Sequence, residues 1–270
     1  MRKVDPPAIQ DNLLLSFLQH SRKENAKAIV HRIADIAERY QAYDICNGDP
    51  WGIAEDASYA PLKEDLNGIY KAPPSVLNFI ATLRSQLDGV CPVCGRDALG
   101  TLDHYLPKAN YAEFSFYSKN LVPACDRCNN KRSNAFKGAN AGERPLHPYF
   151  DYFANNKILS VRFEPDWNAP LLTPIPYNVT GNQLAVVQWQ IDNVLRRAGI
   201  DEYLTTQWGV LINGIRTFLP DRSSLVSIKT EIQRLENYEF ECGKSANGWR
   251  CAFWHGLSLN DDALRYLQSL

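Results

Sequence analysis

No run of about 18 apolar residues occurs anywhere in the sequence, so it offers no candidate transmembrane helix. The first residues, MRKVDPPAIQDNLLLSFLQHSRKEN, contain only Leu13 to Leu15 with Phe17 and Leu18 as an apolar stretch, too short for the core of a secretory signal. The expected location is therefore the cytoplasm. There is no excess of positive charge either: 29 Lys and Arg stand against 30 Asp and Glu, a formal net charge of −1, which excludes a general polycationic affinity for nucleic acid. Internal repeats and low-complexity tracts are absent. Cysteine is not scarce, at seven residues, but without a secretory signal these are not expected to form disulfides.

At 270 residues the chain can bury a full core, as one large domain or as two to three small ones. Apolar residues recur at helical spacing from Arg22 to Tyr43 (Ala26, Ile29, Val30, Ile33, Ile36, Ala37, Tyr40), predicting one helix with one buried stripe, ended by Gly48-Asp49-Pro50. Trp51 to Lys71 shows no period and reads as loop. Pro73-Pro74-Ser75 opens a second helix with Val76, Phe79, Ile80 and Leu83 on one face, leading to Cys91. Ile158 to Phe163 alternates like a strand, and the four prolines of residues 165–176 read as a linker. Three further helical stripes follow: Leu184 to Leu195 closed by Gly199, Leu204 to Phe218 stopped by Pro220, and Leu225 to Leu235. The expected fold is mainly α with a small ββα domain stapled by four cysteines. Its expected parts are a helical region over 1–86, the stapled domain over 87–150 and a second helical region over 151–270.

The block from Cys91 to Asn129 reads CPVCGRDALGTLDHYLPKANYAEFSFYSKNLVPACDRCNN with the residue that follows. Two Cys-x2-Cys pairs, Cys91/Cys94 and Cys125/Cys128, each place two thiolates on one side of a metal, and together they complete a tetrahedral zinc shell. Such a shell has no open coordination position, so the zinc is structural. Cys46, Cys242 and Cys251 lack this spacing and are expected to be plain buried thiols.

Between the pairs lie Asp103-His104 and an isolated Asn120, and Asn129 directly follows the last cysteine. Asp103 and His104 sit at the end of a short expected strand. Neighbours on a strand point to opposite faces, so both can serve one site only if the strand turns there, and Pro107 favours that turn. A carboxylate and an amide oxygen suit a hard cation, and an imidazole suits proton abstraction from water. The segment Cys91 to Lys137 holds seven Lys/Arg against four Asp/Glu, a local net of +3 where a phosphate would bind. Lys108, Lys131 and Arg132 are the candidate phosphate contacts. Tyr105, Tyr111, Phe114, Phe116 and Tyr117 are expected to pack the small domain. His147 is expected to be a packed structural histidine or else a group supporting the site, and His20, His31 and His255 are expected to be structural.

The halves LDHYLPK and NLVPACDRCNNKRS resemble the HNH endonucleases, a ββα-metal family, over Cys91 to Lys137, about a sixth of the chain. The resemblance implies a phosphodiester hydrolase that leaves 5′-phosphate and 3′-hydroxyl ends. It implies His104 as general base, Asp103 and Asn129 as ligands of Mg²⁺ or Mn²⁺, and Asn120 as the residue that bonds across the loop and orients His104. Asn129 stands where many members carry His, which favours Mg²⁺. DNA, in duplex form, is the expected substrate. HNH proteins of this size with helical flanks are also similar to effector nucleases of bacterial phage-defence operons such as Septu-type systems, which act beside an ATPase; a restriction or homing role fits the motif equally. The alternative is a zinc-stapled module that binds nucleic acid or protein and cuts nothing, which would need none of Asp103, His104 and Asn129.

Overall fold

Helices from both ends of the chain converge on the cysteine block, which lies between them in sequence and shares their core. The structure, a computed structural model, describes residues 1–85, 89–96, 100–132 and 135–270, without the side chains of residues 131 and 132. It is mainly helical, and its described strands form two antiparallel two-stranded sheets. No described helix is long and apolar enough to cross a membrane.

The N-terminal region holds α1 (Asp11–Leu18), α2 (Glu24–Ala28), α3 (Ile33–Ile45), α4 (Lys63–Lys71) and α5 (Phe79–Ser85). The single helix expected over residues 22–43 is broken: a 3₁₀ turn, Val30–Arg32, separates α2 from α3. The stripe nevertheless stays buried through Ala26, Ile29, Ile33, Ile36 and Tyr40, because a tighter turn shifts the phase without removing the apolar face. The loop expected over residues 51–71 instead contains α4, which buries Leu66, Ile69 and Tyr70.

In the cysteine block, β1 (Thr101–His104) pairs with β2 (Leu121–Ala124), with Asp103 opposite Val122 and His104 opposite Leu121. The chain then enters α6 (Asp126–Arg132). The order is strand, strand, helix. The C-terminal region begins with a hairpin of β3 (Leu159–Glu164) and β4 (Leu171–Pro176). The linker expected over residues 165–176 is thus half strand. Helix α7 (Gly181–Gln190) runs through a π turn, Ile191–Leu195, into α8 (Arg196–Ala198), and Gly199 closes it in the left-handed conformation at φ 93°. After it come α9 (Ile200–Asn213), α10 (Ile215–Phe218), α11 (Leu225–Gly243), α12 (Trp249–Ser258) and α13 (Asp261–Ser269).

Hydrogen bonds tie these regions to the block. Gln190 donates to the Val93 carbonyl at 2.6 Å, and Trp249 Nε1 donates to the Cys94 carbonyl at 2.5 Å. Arg39 of α3 pairs with the fully buried Glu113 at 2.8 Å. Arg144 makes a two-pronged pair with Asp151 at 2.7 and 2.8 Å. Such buried pairs fix geometry more than they add stability.

Candidate active site beside a four-cysteine centre

The four Sγ atoms of Cys91, Cys94, Cys125 and Cys128 all lie within 4.8 Å of one another, and all four residues are buried. Cys94 and Cys125 are 3.7 Å apart, too far for a disulfide. That separation matches the edge of about 3.8 Å expected for a tetrahedron with zinc–sulfur bonds of about 2.3 Å. The donor set and its size therefore fit a zinc ion. Each knuckle is shaped by its backbone. In the first, Gly95 N–H donates to the Cys91 carbonyl and Cys91 N–H to the Arg96 carbonyl. Gly95 takes φ 83°, and a Cβ there would meet the Met1 nitrogen and the Asn247 carbonyl. In the second, Cys125 stands at the N-cap of α6, and its sulfur accepts the Cys128 N–H at 3.4 Å. Hydrogen bonds from Cys128, Cys91 and Cys94 hold the Cys125 thiol far below its ordinary range, while its sulfur in turn pushes the Cys94 and Cys128 thiols up. The other cysteines differ from expectation in part: Cys251 is buried, but Cys46 is only half-buried and Cys242 is exposed.

The second knuckle leads straight into Asn129, and β1 ends at His104. A cleft of about 240 Å³ is lined by Asp103, His104, Asn129 and Lys108, with Tyr70, Leu102 and Pro107. Asp103 and His104 are neighbours on a strand, yet both face this cleft, because β1 stops at His104. Both are nearly buried, at 6% and 7% exposed.

His104 Nε2 lies 2.9 Å from the Ser115 carbonyl oxygen. A carbonyl only accepts, so Nε2 carries the proton, and in the neutral ring Nδ1 is the lone-pair nitrogen. The Tyr70 ring packs edge-on against the imidazole at 4.5 Å between centroids.

Asn120 is fully buried. Its Oδ1 accepts the Leu106 N–H at 2.7 Å, and its Nδ2 donates to the Leu106 and Phe114 carbonyls at 3.1 Å each. These bonds clamp both ends of the loop that follows β1 and carries Lys108, next to the Ser115 carbonyl. Behind Asn120 stands a further relay. His147 Nδ1 accepts the Tyr149 N–H at 3.2 Å, so its Nε2 donates to the Tyr43 hydroxyl at 2.9 Å, and Tyr43 donates to Asn120 Oδ1 at 3.2 Å. His147 is 1% exposed and does not line the cleft. Asp11 caps the turn before Asn120, accepting from the Ser118 N–H at 3.0 Å and the Ser118 hydroxyl at 2.6 Å.

Lys108 is half-buried in the cleft. Burial first, then the charges of Lys71 and Arg84, lower its pKa, while Asp103 opposes the shift. The side chains of Lys131 and Arg132, the other two candidate phosphate contacts, lie outside the described residues. The five aromatic side chains from Tyr105 to Tyr117 are all buried. His255 bonds Ser160 at 2.9 Å and is pushed down to about 4 by burial and Lys157, while His20 and His31 are on the surface.

Sequence spacing gave no sign of Tyr43, Tyr70, Lys71, Arg84 or Asp11. All lie in the N-terminal region and reach the site only through tertiary packing. Among the described residues, the four cysteines are the only group of three or more His, Cys, Asp and Glu close enough to share one ion. Asp103 and Asn129, one carboxylate and one amide side chain, both line the cleft.

No protein-family model matches the chain, and no solved structure matches it significantly. Over 62 residues it is 39% identical to protein ea31 of Escherichia phage lambda, a stretch covering 23% of this chain. The match spans only 21% of that protein's own length.

Proposed function

We propose that the chain is an HNH-type endonuclease that hydrolyses phosphodiester bonds of DNA with the help of a divalent cation. The observation that carries this reading is the His104–Ser115 hydrogen bond, which directs the lone pair to Nδ1 in a cleft shared with Asp103 and Asn129. Proton abstraction from water needs such a base.

In this reading His104 Nδ1 takes a proton from a water as its oxygen attacks the scissile phosphorus, and the bond to the 3′-oxygen breaks. Ser115 holds the imidazole and stabilises the imidazolium that forms, since a carbonyl accepts more strongly from a charged ring. Asn120 keeps the loop from Tyr105 to Phe114 in register, so that the Ser115 carbonyl stays under His104. Asp103 and Asn129 would hold the cation, which when bound neutralises charge developing on the phosphate and the leaving oxygen. The zinc centre would fix Asn129 through Cys128, the residue before it in α6.

The test is incubation of the full-length, zinc-loaded protein with supercoiled plasmid, with and without Mg²⁺ or Mn²⁺. Metal-dependent nicking or linearisation is expected. Absence of cleavage of any nucleic acid, alone or with proteins encoded beside it, leaves the binding-module alternative.

A further inference from the structure

We propose that the N-terminal helices complete the substrate site: Lys71 and Arg84, together with Lys108, form a seat for the nucleic-acid backbone phosphate next to the scissile one, along a strand passing over Tyr70. This rests on the endonuclease reading and extends it to residues outside the motif.

Lys71 is the last residue of α4, Arg84 lies in the last turn of α5, and Lys108 follows β1. The end of α5 and the loop after β1 bring Arg84 and Lys108 to the ring of Tyr70, the residue before Lys71 in α4. The Arg84 guanidinium lies 5.0 Å from the Tyr70 centroid, the Lys108 ammonium 5.2 Å, and the His104 ring 4.5 Å. All three groups thus lie around a single aromatic platform, within a span of a few nucleotide steps of about 3.4 Å each along the duplex axis. Lys71 is close enough that its charge, like that of Arg84, acts on Lys108.

No hydrogen bond or salt bridge holds Lys71, Arg84 or Lys108 among the described residues. Some cations elsewhere on this protein are paired at short range, as in Lys119–Asp44 at 2.7 Å and Lys229–Asp261 at 2.8 Å, while others such as Lys63 and Arg216 carry no salt bridge among the described residues. A cation at a helix C-terminus is favoured by the helix dipole, and this accounts for Lys71 and Arg84 one at a time. It does not account for the end of α5 delivering Arg84 to the ring that Lys108 also meets from the cleft, with Lys71 following that ring in sequence. The charges of Lys71 and Arg84 repel that of Lys108, with Asp103 opposing them, and a polyanion relieves that repulsion. The Tyr70 side chain, 8% exposed, is a platform for the cations rather than a surface for base stacking. Backbone contacts of this kind position a strand without reading its sequence.

The experiment compares His104→Ala, which leaves the substrate intact, with His104→Ala/Lys71→Gln/Arg84→Gln in binding a fluorescein-labelled duplex by anisotropy in Mg²⁺ over a range of KCl. Both added sites are exposed, so the fold should survive, which thermal unfolding verifies. Losing the two cations of this one-phosphate seat should lower the slope of log K against log[salt] by about 0.9 and raise Kd about tenfold at intermediate salt, for unrelated duplex sequences alike. In the His104 background Lys71→Gln/Arg84→Gln should raise KM and leave kcat within about twofold. Unchanged Kd and slope, with a parent that binds and a wild type that cuts, would overturn the phosphate seat and spare the endonuclease reading. A fall in kcat with KM and slope unmoved would overturn it too, by assigning the pair to support of the fold. A wild type that neither binds nor cuts nucleic acid would remove both.

Discussion

The Nε2 atom of His104 sits 2.9 Å from the carbonyl oxygen of Ser115, eleven residues further along the chain. This one bond sets the tautomer of the imidazole. The first prediction is spectroscopic and independent of cleavage. In a long-range ¹⁵N–¹H correlation spectrum at neutral pH or above, His104 should show a protonated Nε2 and an unprotonated Nδ1. The opposite tautomer would remove the base from the cleft.

Cys128→Ser removes one of the four sulfurs of the shell, although its backbone N–H can still donate to the Cys125 sulfur at the cap of α6. Structural zinc contributes on the order of 10 kcal/mol to the folding of small zinc modules. Zinc content should fall well below stoichiometric, and the thermal transition should drop or split as the block from Cys91 to Asn129 loosens. Elemental analysis and calorimetry read both. Retained stability without zinc would sink the staple.

Asn120→Ala removes four side-chain hydrogen bonds in a fully buried place and leaves the Leu106 N–H without its 2.7 Å acceptor. The expected loss is about 2–4 kcal/mol in urea unfolding. Cleavage should fall with it even below the denaturation range, because the Ser115 carbonyl no longer has a fixed position. A fully stable Asn120→Ala would mean that the clamp is redundant.

Asp11 is buried, and burial pushes its carboxyl up to about 6 from an ordinary 3.8, although its bonds to Ser118 act in the opposite sense. The folded state therefore holds this proton more tightly than the unfolded chain does. Its contribution to stability is complete below about pH 4 and is lost as the pH rises through about 6, worth at most about 3 kcal/mol. Asp11→Asn keeps the shape and a bond to the Ser118 N–H without the charge. The difference in urea midpoint between variant and wild type should grow in favour of the variant from pH 4 to pH 6.5. A difference that does not vary with pH would rule out the raised carboxyl.

The four-cysteine centre was legible because its spacing along the chain carries its chemistry. Two Cys-x2-Cys pairs make a tetrahedron almost regardless of context, and the structure brings their sulfurs together. Asp103, His104 and Asn129 do line one cleft. The outer residues were not legible, because nothing local marks them. Tyr70 and Lys71 end a nine-residue helix whose apolar positions are too few to show a period. Helix α12 buries Trp249, Cys251, Ala252, Phe253, Trp254, Gly256 and Leu257 on nearly all sides, so no polar face defines its stripe. Strand β4 hides behind Pro174 and Pro176, tolerated because the two-stranded sheet leaves each strand with one unpaired edge. The 22–43 helix was over-extended because the apolar phase continues through a 3₁₀ turn that sequence periodicity does not register.

The most direct measurement of the central claim is the rate of Mg²⁺-dependent plasmid cleavage by His104→Ala against wild type, across the pH range of imidazole titration. Removal of a general base costs about 10²–10⁴-fold. The variant should stay folded, keep its zinc and bind duplex DNA as wild type does, yet cut at least about a hundredfold more slowly. Wild-type rate should rise with pH as His104 loses its proton, and that dependence should vanish in the variant. A His104→Ala protein that cuts at the wild-type rate, with the wild-type pH profile, would contradict the account.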